Sequence, residues 1–565
     1  MNSKSNASNS KALTKRAVIF GLLLGMIYTF LGIYLSYKVG LVALGGIFIL
    51  GYMLLQLTGS YNYKENVILT IIASACLLPA FEISDNIAAL IIFRQYSNYQ
   101  IVISFPLLFF IGLVGSILGI FLLMPFKDHL LSLKWPMVEP SAKMMKALGG
   151  GKEERKRAFS SMFVSAAITL TTLLGRIRTL TLPSLPSFIG FEVSPMMAGL
   201  GFFISLLGVI SLLLGALYSI GVWFFLEGAN PTLNLSKHIM HPWIFSLAIG
   251  IMVTTALMNI ALNRKAFADA LKSFKRERKS SNFTYWVSPI SMILLPLIAL
   301  VGLYFILGSF QMTLEIIYVT IIGIPITFLA AFFVAMARGE TGFATSFSID
   351  IVLLMSILLF APDLAILLIG FSFMNALEMS SNRTIQSLKL ASLTEIREKD
   401  TLKAIIISII PGALIGAGVI WFFINVLGGI GTNIFPCPSA YVTGGYVLGV
   451  REAIIHGLLP EMYDLRIILV GAVISIIFGV IQAKKKLKGF SLIPFAIGTL
   501  IPATYIFPMF LGAALDIYLK RKYRENLVTY NQERNKWTII TSGLFAGEGV
   551  VLMFFYLAYL FIPLS

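Results

Sequence analysis

A polar segment inside a long apolar region holds the residues best suited to binding chemistry. Residues 338–350 carry three ionisable side chains, four hydroxyls and the glycines Gly339 and Gly342, which flank Glu340. Glycines spaced in this way loosen a helix and expose backbone N–H and C=O groups. In lipid, such groups are tolerated only where protein or a water-filled cavity covers them. The segment is therefore either a surface loop or a broken helix that lines a cavity, and secondary transporters bind substrates at broken helices.

Several other carboxyl groups also lie in apolar surroundings. A charge at the centre of a membrane helix costs about 2.5–3.5 kcal/mol on insertion scales, and a buried carboxyl can avoid this cost by staying protonated. Such a group suits a proton carrier. The candidates are Glu82, Asp85, Glu192, Glu340, Asp350, Glu378 and Glu548.

Glu82 and Asp85 are three residues apart, so they share one face if the segment is helical. The alternative is that the apolar run ends at Pro79 and Glu82 caps a second, short helix. Glu548 stands between two glycines in the last apolar run. Its alternative role is that of a neutral carboxyl in a glycine-rich helix contact.

A second broken segment follows a glycine-rich stretch that ends at Asn433. Pro436 and Pro438 bracket Cys437, and two prolines so placed cannot continue a helix. A half-helix that starts after them, at Ser439, would present free N–H groups, which bind carboxylates well. The alternative is an extracellular loop.

Enzyme and metal motifs are missing from the sequence. It contains no HExxH, GxSxG or P-loop, so the chain is neither a recognisable hydrolase nor an ATP-driven pump by itself. Its two cysteines lie far apart, and the pair His238 and His241 is best interpreted as part of a loop. We expect no enzyme activity, no resident metal and no cofactor.

The composition is that of a polytopic membrane protein. Hydrophobic residues make up 58% of the 565-residue chain and charged residues only 12%, whereas soluble domains carry about 25% charged residues. The net charge of +17 comes from short basic blocks between apolar runs. These blocks follow the positive-inside rule, so we expect contacts with membrane lipids and no nucleic acid. We also expect a multi-pass protein of the cell membrane with a cytoplasmic N-terminus.

The apolar runs predict an all-α fold with about 14–16 transmembrane helices, some of them broken or re-entrant. A weak repeat of sequence patterns indicates two related halves. The predicted divisions are a tail at 1–16, an N-terminal half at 17–282 and a C-terminal half at 283–565. Both basic loops of the first half can lie on the same side of the membrane only if one of the broken pieces crosses the membrane or folds back. The best candidate is the piece at 180–195. Glycine pairs four residues apart predict close helix packing.

Six short motifs, taken in order, carry a resemblance to a known family. They are Asn66 with Thr70-Ile71-Ile72-Ala73-Ser74-Ala75, residues 135–142, Gly339-Glu340-Thr341-Gly342, Pro438-Ser439-Ala440, residues 498–502 and residues 542–548. Together they resemble the oligopeptide transporter superfamily, which includes the yellow-stripe metal-chelate carriers. The chain departs from the family pattern at Leu69, where Gln is usual, at Cys76, where Gly is usual, and at Asn382, where Asp is common.

The resemblance implies a proton-coupled secondary transporter of small oligopeptides that works by alternating access. A metal-chelate carrier is the main alternative, and an intramembrane enzyme is a remote one. The expected substrate-binding residues are Asn66, Gly339, Glu340, Gly342, Asn433, Pro438 and Ser439. The expected proton-coupling residues are Glu82, Asp85, Glu340 and Glu548. The expected partners are a peptide or chelate, protons and lipids, and the sequence leaves open whether the chain forms a homodimer.

Overall fold

The structure is a computed structural model, and it describes residues 11–39, 47–99, 101–204, 206–262, 302–303, 306–308, 310–342, 363–432, 435–455, 463–485 and 492–558. In chain order, its α-helices are α1 Lys15–Val39, α2 Ile47–Leu57, α3 Tyr63–Ile92, α4 Phe105–Leu122, α5 Lys127–Ser132, α6 Val138–Leu148, α7 Lys152–Leu174, α8 Pro195–Phe203, α9 Leu206–Phe225, α10 Leu235–Ile239, α11 Pro242–Leu262, α12 Phe310–Thr341, α13 Leu364–Leu393, α14 Glu398–Phe422, α15 Pro438–Ile455, α16 Leu465–Lys485, α17 Leu492–Leu500, α18 Ala503–Lys522 and α19 Leu527–Ala558.

Other regular elements are short. Two 3₁₀ turns cover Arg94–Tyr96 and Met124–Phe126, and a π-helix covers Phe423–Leu427 directly after α14. The two strands, β1 Thr179–Leu180 and β2 Phe191–Glu192, pair antiparallel in a hairpin.

Polar side chains mark where several helices begin. The side chains of Asn62, Ser104, Ser194 and Asp363 accept hydrogen bonds from backbone N–H groups in the first turns of α3, α4, α8 and α13. Each bond satisfies one of the donors that an α-helix leaves without a partner at its N-terminus. In α8, Pro195 follows the capping serine and needs no N–H partner at the first helical position.

Among the described residues, eight helical stretches are long and apolar enough to cross a membrane. They are Lys15–Tyr37, Tyr63–Ile92, Phe105–Ser132, Lys152–Leu174, Leu206–Phe225, Gln311–Thr341, Leu364–Leu393 and Glu398–Leu427. The chain is therefore a polytopic helical membrane protein, which confirms the expected fold class.

The chain divides into two compact units. The first comprises 1–129, 264–332 and 349–460, and the second comprises 130–263, 333–348 and 461–565. Each unit draws on distant parts of the sequence, and α12 contributes its first part to one unit and its last part to the other.

Close helix contacts at glycine organise the first unit. A Cβ at Gly412 would lie 2.2 Å from the Cys76 carbonyl oxygen, and one at Gly416 would lie 2.0 Å from the Ala80 Cβ. Helices α14 and α3 therefore run side by side in the same direction. Gly21 and Gly25 on α1 contact α3 in the same way, so close packing at these glycine pairs is confirmed. A Cβ at Gly445 or Gly449 would meet nothing within 4 Å in the described structure, so close packing at that pair stays a prediction.

In the second unit, α7 and α19 pack in parallel. A Cβ at Gly543 would meet Ser161, and one at Gly547 would meet the Met162 carbonyl, 2.1 Å away. After α7 the chain turns back through the β-hairpin, in which the Val193 N–H donates to the Arg178 carbonyl at 2.8 Å.

Helix α8 then runs antiparallel to α19. Met196 at its start contacts Glu548, and Gly199 lies against Thr541. Residues 180–195 thus fold back, and the apolar run at 196–226 forms the short α8 and the longer α9.

Candidate functional sites

Asp85 lies on a continuous α3, where the Ser36 hydroxyl of α1 donates to its carboxylate. Its side chain is half-buried, while its neighbours Ser84 and Asn86 are buried. Helix α3 passes through Pro79 without ending, so the alternative in which Glu82 caps a second helix is wrong. Glu82 itself lies on α3, and its side chain lies outside the described part of the structure. Asp85 therefore lies among buried residues, but part of its own side chain is exposed.

The half-helix expected after the two prolines is α15, which begins at Pro438. The Cys437 N–H donates to the carbonyl of Tyr37 at 2.8 Å, which fixes this start beside α1. Cys437 itself has a φ of 48°. Pro438 is exposed and Ser439 is half-buried, while Asn433 lies outside the described residues.

Asp85 and the start of α15 contact neighbouring residues of α1. Ser36 hydrogen-bonds to the Asp85 carboxylate, and the carbonyl of the next residue, Tyr37, accepts the Cys437 N–H. The Asp85 carboxylate therefore lies in the same region as the start of α15. Burial raises the pKa of Cys437 to about 11, a backbone hydrogen bond with Gly431 lowers it, and the Asp85 charge raises it slightly.

Aromatic side chains surround the start of α15. Tyr34, Tyr37, Phe423 and Phe435 form the aromatic cluster, in which the ring centroids of Phe423 and Phe435 lie 5.1 Å apart and those of Tyr37 and Phe423 lie 5.7 Å apart. Tyr34 meets Phe435 edge to face at 6.2 Å. Phe423 opens the π-helix, and π-helical turns occur often at functional sites. The cluster joins α1, the end of α14 and the start of α15.

Glu548 has a different environment in the second unit. Its fully buried carboxylate accepts hydrogen bonds from Arg178 Nη2 at 2.7 Å, from Ser194 Oγ at 2.9 Å and from the Met196 N–H at 2.8 Å. Arg178 Nε also donates to Glu192 at 2.8 Å. The carboxylate is thus held by three residues from the hairpin and the start of α8. The alternative role for Glu548 placed it in a glycine-rich helix contact. That contact is present, because Gly547 packs on α7. Glu548 itself, however, forms an ion pair with Arg178.

Glu340 and its two glycines lie at the end of α12. The helix continues through Gly339 to Thr341, and Gly342, with a φ of 83°, follows it. A Cβ at Gly339 would lie 2.5 Å from Leu133, and the Gly339 carbonyl accepts the Trp135 N–H at 2.8 Å. Gly339 therefore permits a close backbone contact inside a helix. Glu340 is half-buried, and Asp350 lies outside the described residues.

Asn66 joins two helices of the first unit. Its side-chain amide donates to the Phe48 carbonyl of α2 at 2.8 Å and to the Tyr61 hydroxyl at 3.1 Å. Its Oδ1 would lie 2.3 Å from a Cβ at Gly51. Asn66 is fully buried, so this arrangement supports packing of α2 on α3 more than contact with a solute.

Sequence reasoning missed Arg178, Ser36 and the aromatic cluster. Ser36 and the aromatic residues lie in apolar or glycine-rich stretches, where such side chains are ordinary. Arg178 offered one signal, because a basic residue so close to an apolar run needs a carboxylate partner.

The helical bundle and its buried charged groups define a polytopic membrane protein with enclosed polar sites, the class to which secondary carriers belong. The family model described as OPT oligopeptide transporter protein matches residues 12–559. The chain therefore belongs to the OPT oligopeptide transporter family, a family of membrane transporters of oligopeptides and related substrates, and the resemblance found in its motifs is confirmed. No curated protein matches the chain.

Proposed function

We propose that the chain is a proton-coupled secondary transporter that imports small oligopeptides across the cell membrane by alternating access. Membership of the oligopeptide transporter family supports the substrate class. The single observation that carries the proposal is that the half-helix α15 starts on Tyr37 of α1, beside Ser36 and its partner Asp85, and next to the aromatic cluster.

The first turn of α15 would bind the carboxylate at the C-terminus of a peptide, because helix N-termini present free N–H groups and a positive dipole end. Tyr34, which is half-buried, would contact apolar peptide side chains through its ring, and the buried Tyr37 and Phe435 would hold it in place. Pro438 has no N–H to offer, so the donors would come from later residues of the first turn.

Coupling to protons would follow from charge repulsion at this site. An ionised Asp85 disfavours a second carboxylate at the start of α15, whereas a protonated Asp85 does not. Peptide binding and protonation of Asp85 therefore favour each other, and this linkage is reciprocal. Ser36, which hydrogen-bonds to the Asp85 carboxylate, would release or reorient as the proton binds.

The other residues predicted to bind substrate or protons are not part of this site. Glu340 with Gly339 and Gly342, as well as Glu82, stay predictions as substrate or coupling groups. Glu548 is held by Arg178 and the Met196 N–H, so we assign it to fastening the β-hairpin and the start of α8 rather than to carrying protons.

Uptake into proteoliposomes with an imposed inward proton gradient tests the proposal. A mixed library of di- to hexapeptides would be offered, and trapped peptides would be read by mass spectrometry. We expect accumulation that collapses with an uncoupler and that Asp85→Asn abolishes. Asp464→Asn is the matched control. Within the described structure, the salt bridge of Asp464 is formed with Arg466, whose side chain is exposed.

Absence of accumulation in vesicles that contain folded protein would overturn peptide transport. The same assay with iron and nickel chelates would then decide whether the chain carries metal chelates. Normal gradient-driven uptake by Asp85→Asn would leave peptide transport intact but remove Asp85 from the coupling mechanism.

A further inference from the structure

Three basic side chains converge around one carboxylate in the second unit, and the proposed transport site uses none of them. Asp516 is buried on α18. One of its oxygens pairs with Lys520 on the same helix, and the other accepts a hydrogen bond from Arg534 Nε of α19 at 3.2 Å. The loop between α5 and α6 adds Lys134, which lies within range of the charges of both cations.

Arg534 is held on two sides. Asp516 accepts the hydrogen bond from its Nε, and the centre of its guanidinium lies 5.7 Å from the centroid of the Phe202 ring on α8, in a cation–π contact. Phe202 is itself buried in one cluster with Leu519 of α18. Among the described residues, the two terminal nitrogens of Arg534 have no hydrogen-bond partner. A guanidinium fixed in this way presents a fork that fits two oxygens of a phosphate group.

Lys134 is an exposed lysine without a hydrogen bond or salt bridge in the part of the chain that the structure describes. Partial desolvation is the largest cause that lowers its pKa, and the charge of Lys520 is the next. Arg534 lowers this pKa too, while Asp516 and Glu139 raise it. Three cations and two carboxylates give this group a formal charge of +1, which an anion with a single negative charge would neutralise.

The surroundings of this group are those of a membrane–water interface. Helix α18 is mostly apolar until it ends in three consecutive basic residues, and the Nζ of Lys522 lies 5.4 Å from the ring centroid of Tyr518, which is 55% exposed. Leu527 and Val528, at the start of α19, are 70% and 68% exposed. Tyrosine and basic residues collect at this interface, and the positive-inside rule places the basic end of α18 at the cytoplasmic leaflet, which carries anionic lipids.

The headgroup of a lipid such as phosphatidylglycerol has the required charge and oxygens, because its phosphodiester is a singly charged anion, whereas phosphatidylcholine is neutral overall. We propose that Arg534, Lys134 and Lys520 form a binding site for the phosphate group of an anionic phospholipid. The Arg534 fork would hold two phosphate oxygens, and the two lysines would bind the same group from either side. The acyl chains would lie along exposed apolar side chains of the unit.

Lipid binding to the purified full-length protein in neutral detergent tests this site without a gradient or a peptide, so the outcome is independent of the proposed transport function. Native mass spectrometry would count bound phosphatidylglycerol and phosphatidylcholine over the same range of lipid concentrations. Thermal unfolding with phosphatidylglycerol or with inorganic phosphate would separate a lipid headgroup from free phosphate, because a ligand of the folded state raises the melting temperature. We expect saturable binding of phosphatidylglycerol, weaker binding of phosphatidylcholine and little stabilisation by inorganic phosphate.

Lys134→Gln removes a cation that has no partner among the described residues, so the variant should fold normally. We expect it to bind phosphatidylglycerol about fivefold more weakly. Arg534→Lys keeps the charge beside Asp516 but lacks the fork, and we expect a loss of affinity of at least the same size. The matched control is Lys536→Gln, which removes a cation from the same helix as Arg534. Lys536 pairs with Glu533 at 2.6 Å, and we expect little change in lipid binding.

Four results would overturn this proposal. The first is equal binding of phosphatidylglycerol and phosphatidylcholine. The second is an equal loss of affinity in Lys134→Gln and Lys536→Gln, which would mean that general surface charge attracts the lipid. The third is unchanged affinity in Arg534→Lys. The fourth is stabilisation by inorganic phosphate that matches stabilisation by phosphatidylglycerol, which would assign the group to free phosphate instead.

Discussion

Arg178 and Glu548 form an ion pair in which 2.7 Å separates Nη2 from Oε1, and the Glu548 side chain has no exposed surface. Arg178 belongs to the β-hairpin that folds back after α7, whereas Glu548 lies far along α19. The pair therefore fastens the hairpin and the start of α8 to the last helix of the second unit.

Removing the cation from this pair should destabilise the protein strongly. We expect Arg178→Met to lower the free energy of unfolding by about 3–5 kcal/mol, because it leaves a buried carboxylate without its partner. The double variant with Glu548→Met should recover part of that loss. Chemical unfolding in detergent measures both effects.

The control for this experiment is Arg466→Met, since the Arg466 side chain is 90% exposed in its pair with Asp464. Exposed ion pairs contribute about 0–1 kcal/mol. Equal losses of stability in Arg178→Met and Arg466→Met would contradict the assignment of the buried pair.

Peptide affinity should depend on pH through Asp85. If a protonated Asp85 favours the peptide carboxylate at the start of α15, affinity in the wild-type protein rises as pH falls. Asp85→Asn should bind peptide with an affinity that changes little between pH 5.5 and pH 8. Calorimetry with a peptide and with its C-terminal amide separates this effect from general weakening, because the amide should show little pH dependence in either protein.

The contact of α14 on α3 should not tolerate a methyl group. Gly412→Ala would place a Cβ 2.2 Å from the Cys76 carbonyl, and we expect a loss of about 1–3 kcal/mol in stability. Gly445→Ala on α15 meets no described atom within 4 Å and should gain about 0.5–1 kcal/mol, since alanine is the better helix former. A similar response of both variants in thermal unfolding would disprove the close contact.

Acid should weaken the connection between α9 and α11. Burial lowers the pKa of His238 to about 4, and its ring contacts Ser219 Oγ at 2.8 Å, the Glu227 carboxylate and the stacked ring of Phe188. Between the unfolded pKa of about 6.5 and the folded value, the unfolded chain binds more protons. The stabilisation is therefore complete above that range and is lost as pH falls through it.

The measurement is the melting temperature of the wild-type protein and of His238→Gln from pH 7.5 to pH 4.5. The difference in stability between the two proteins should be largest near neutral pH and should shrink towards pH 4.5. A constant difference across the range would show that His238 does not titrate in this window.

The sequence predicted what local rules control, and it missed what distant contacts control. Two prolines around Cys437 forecast the start of α15, and apolar length forecast the spanning helices. Gly339 was misinterpreted as a break, because a glycine that lets Leu133 approach the helix and one that loosens a helix look the same in sequence. Arg178 meets Glu548 across 370 residues, and no local pattern records such a pairing.

That separation has a consequence for how the protein is made. The β-hairpin and α8 leave the ribosome long before α19 is synthesised, and domains form as their segments emerge. Until α19 arrives, Arg178 has no access to Glu548, and the second unit stays incomplete. A chain that lost its last helix would leave Arg178 with Glu192 but without Glu548, and the hairpin and α8 would lack the helix to which this pair fastens them.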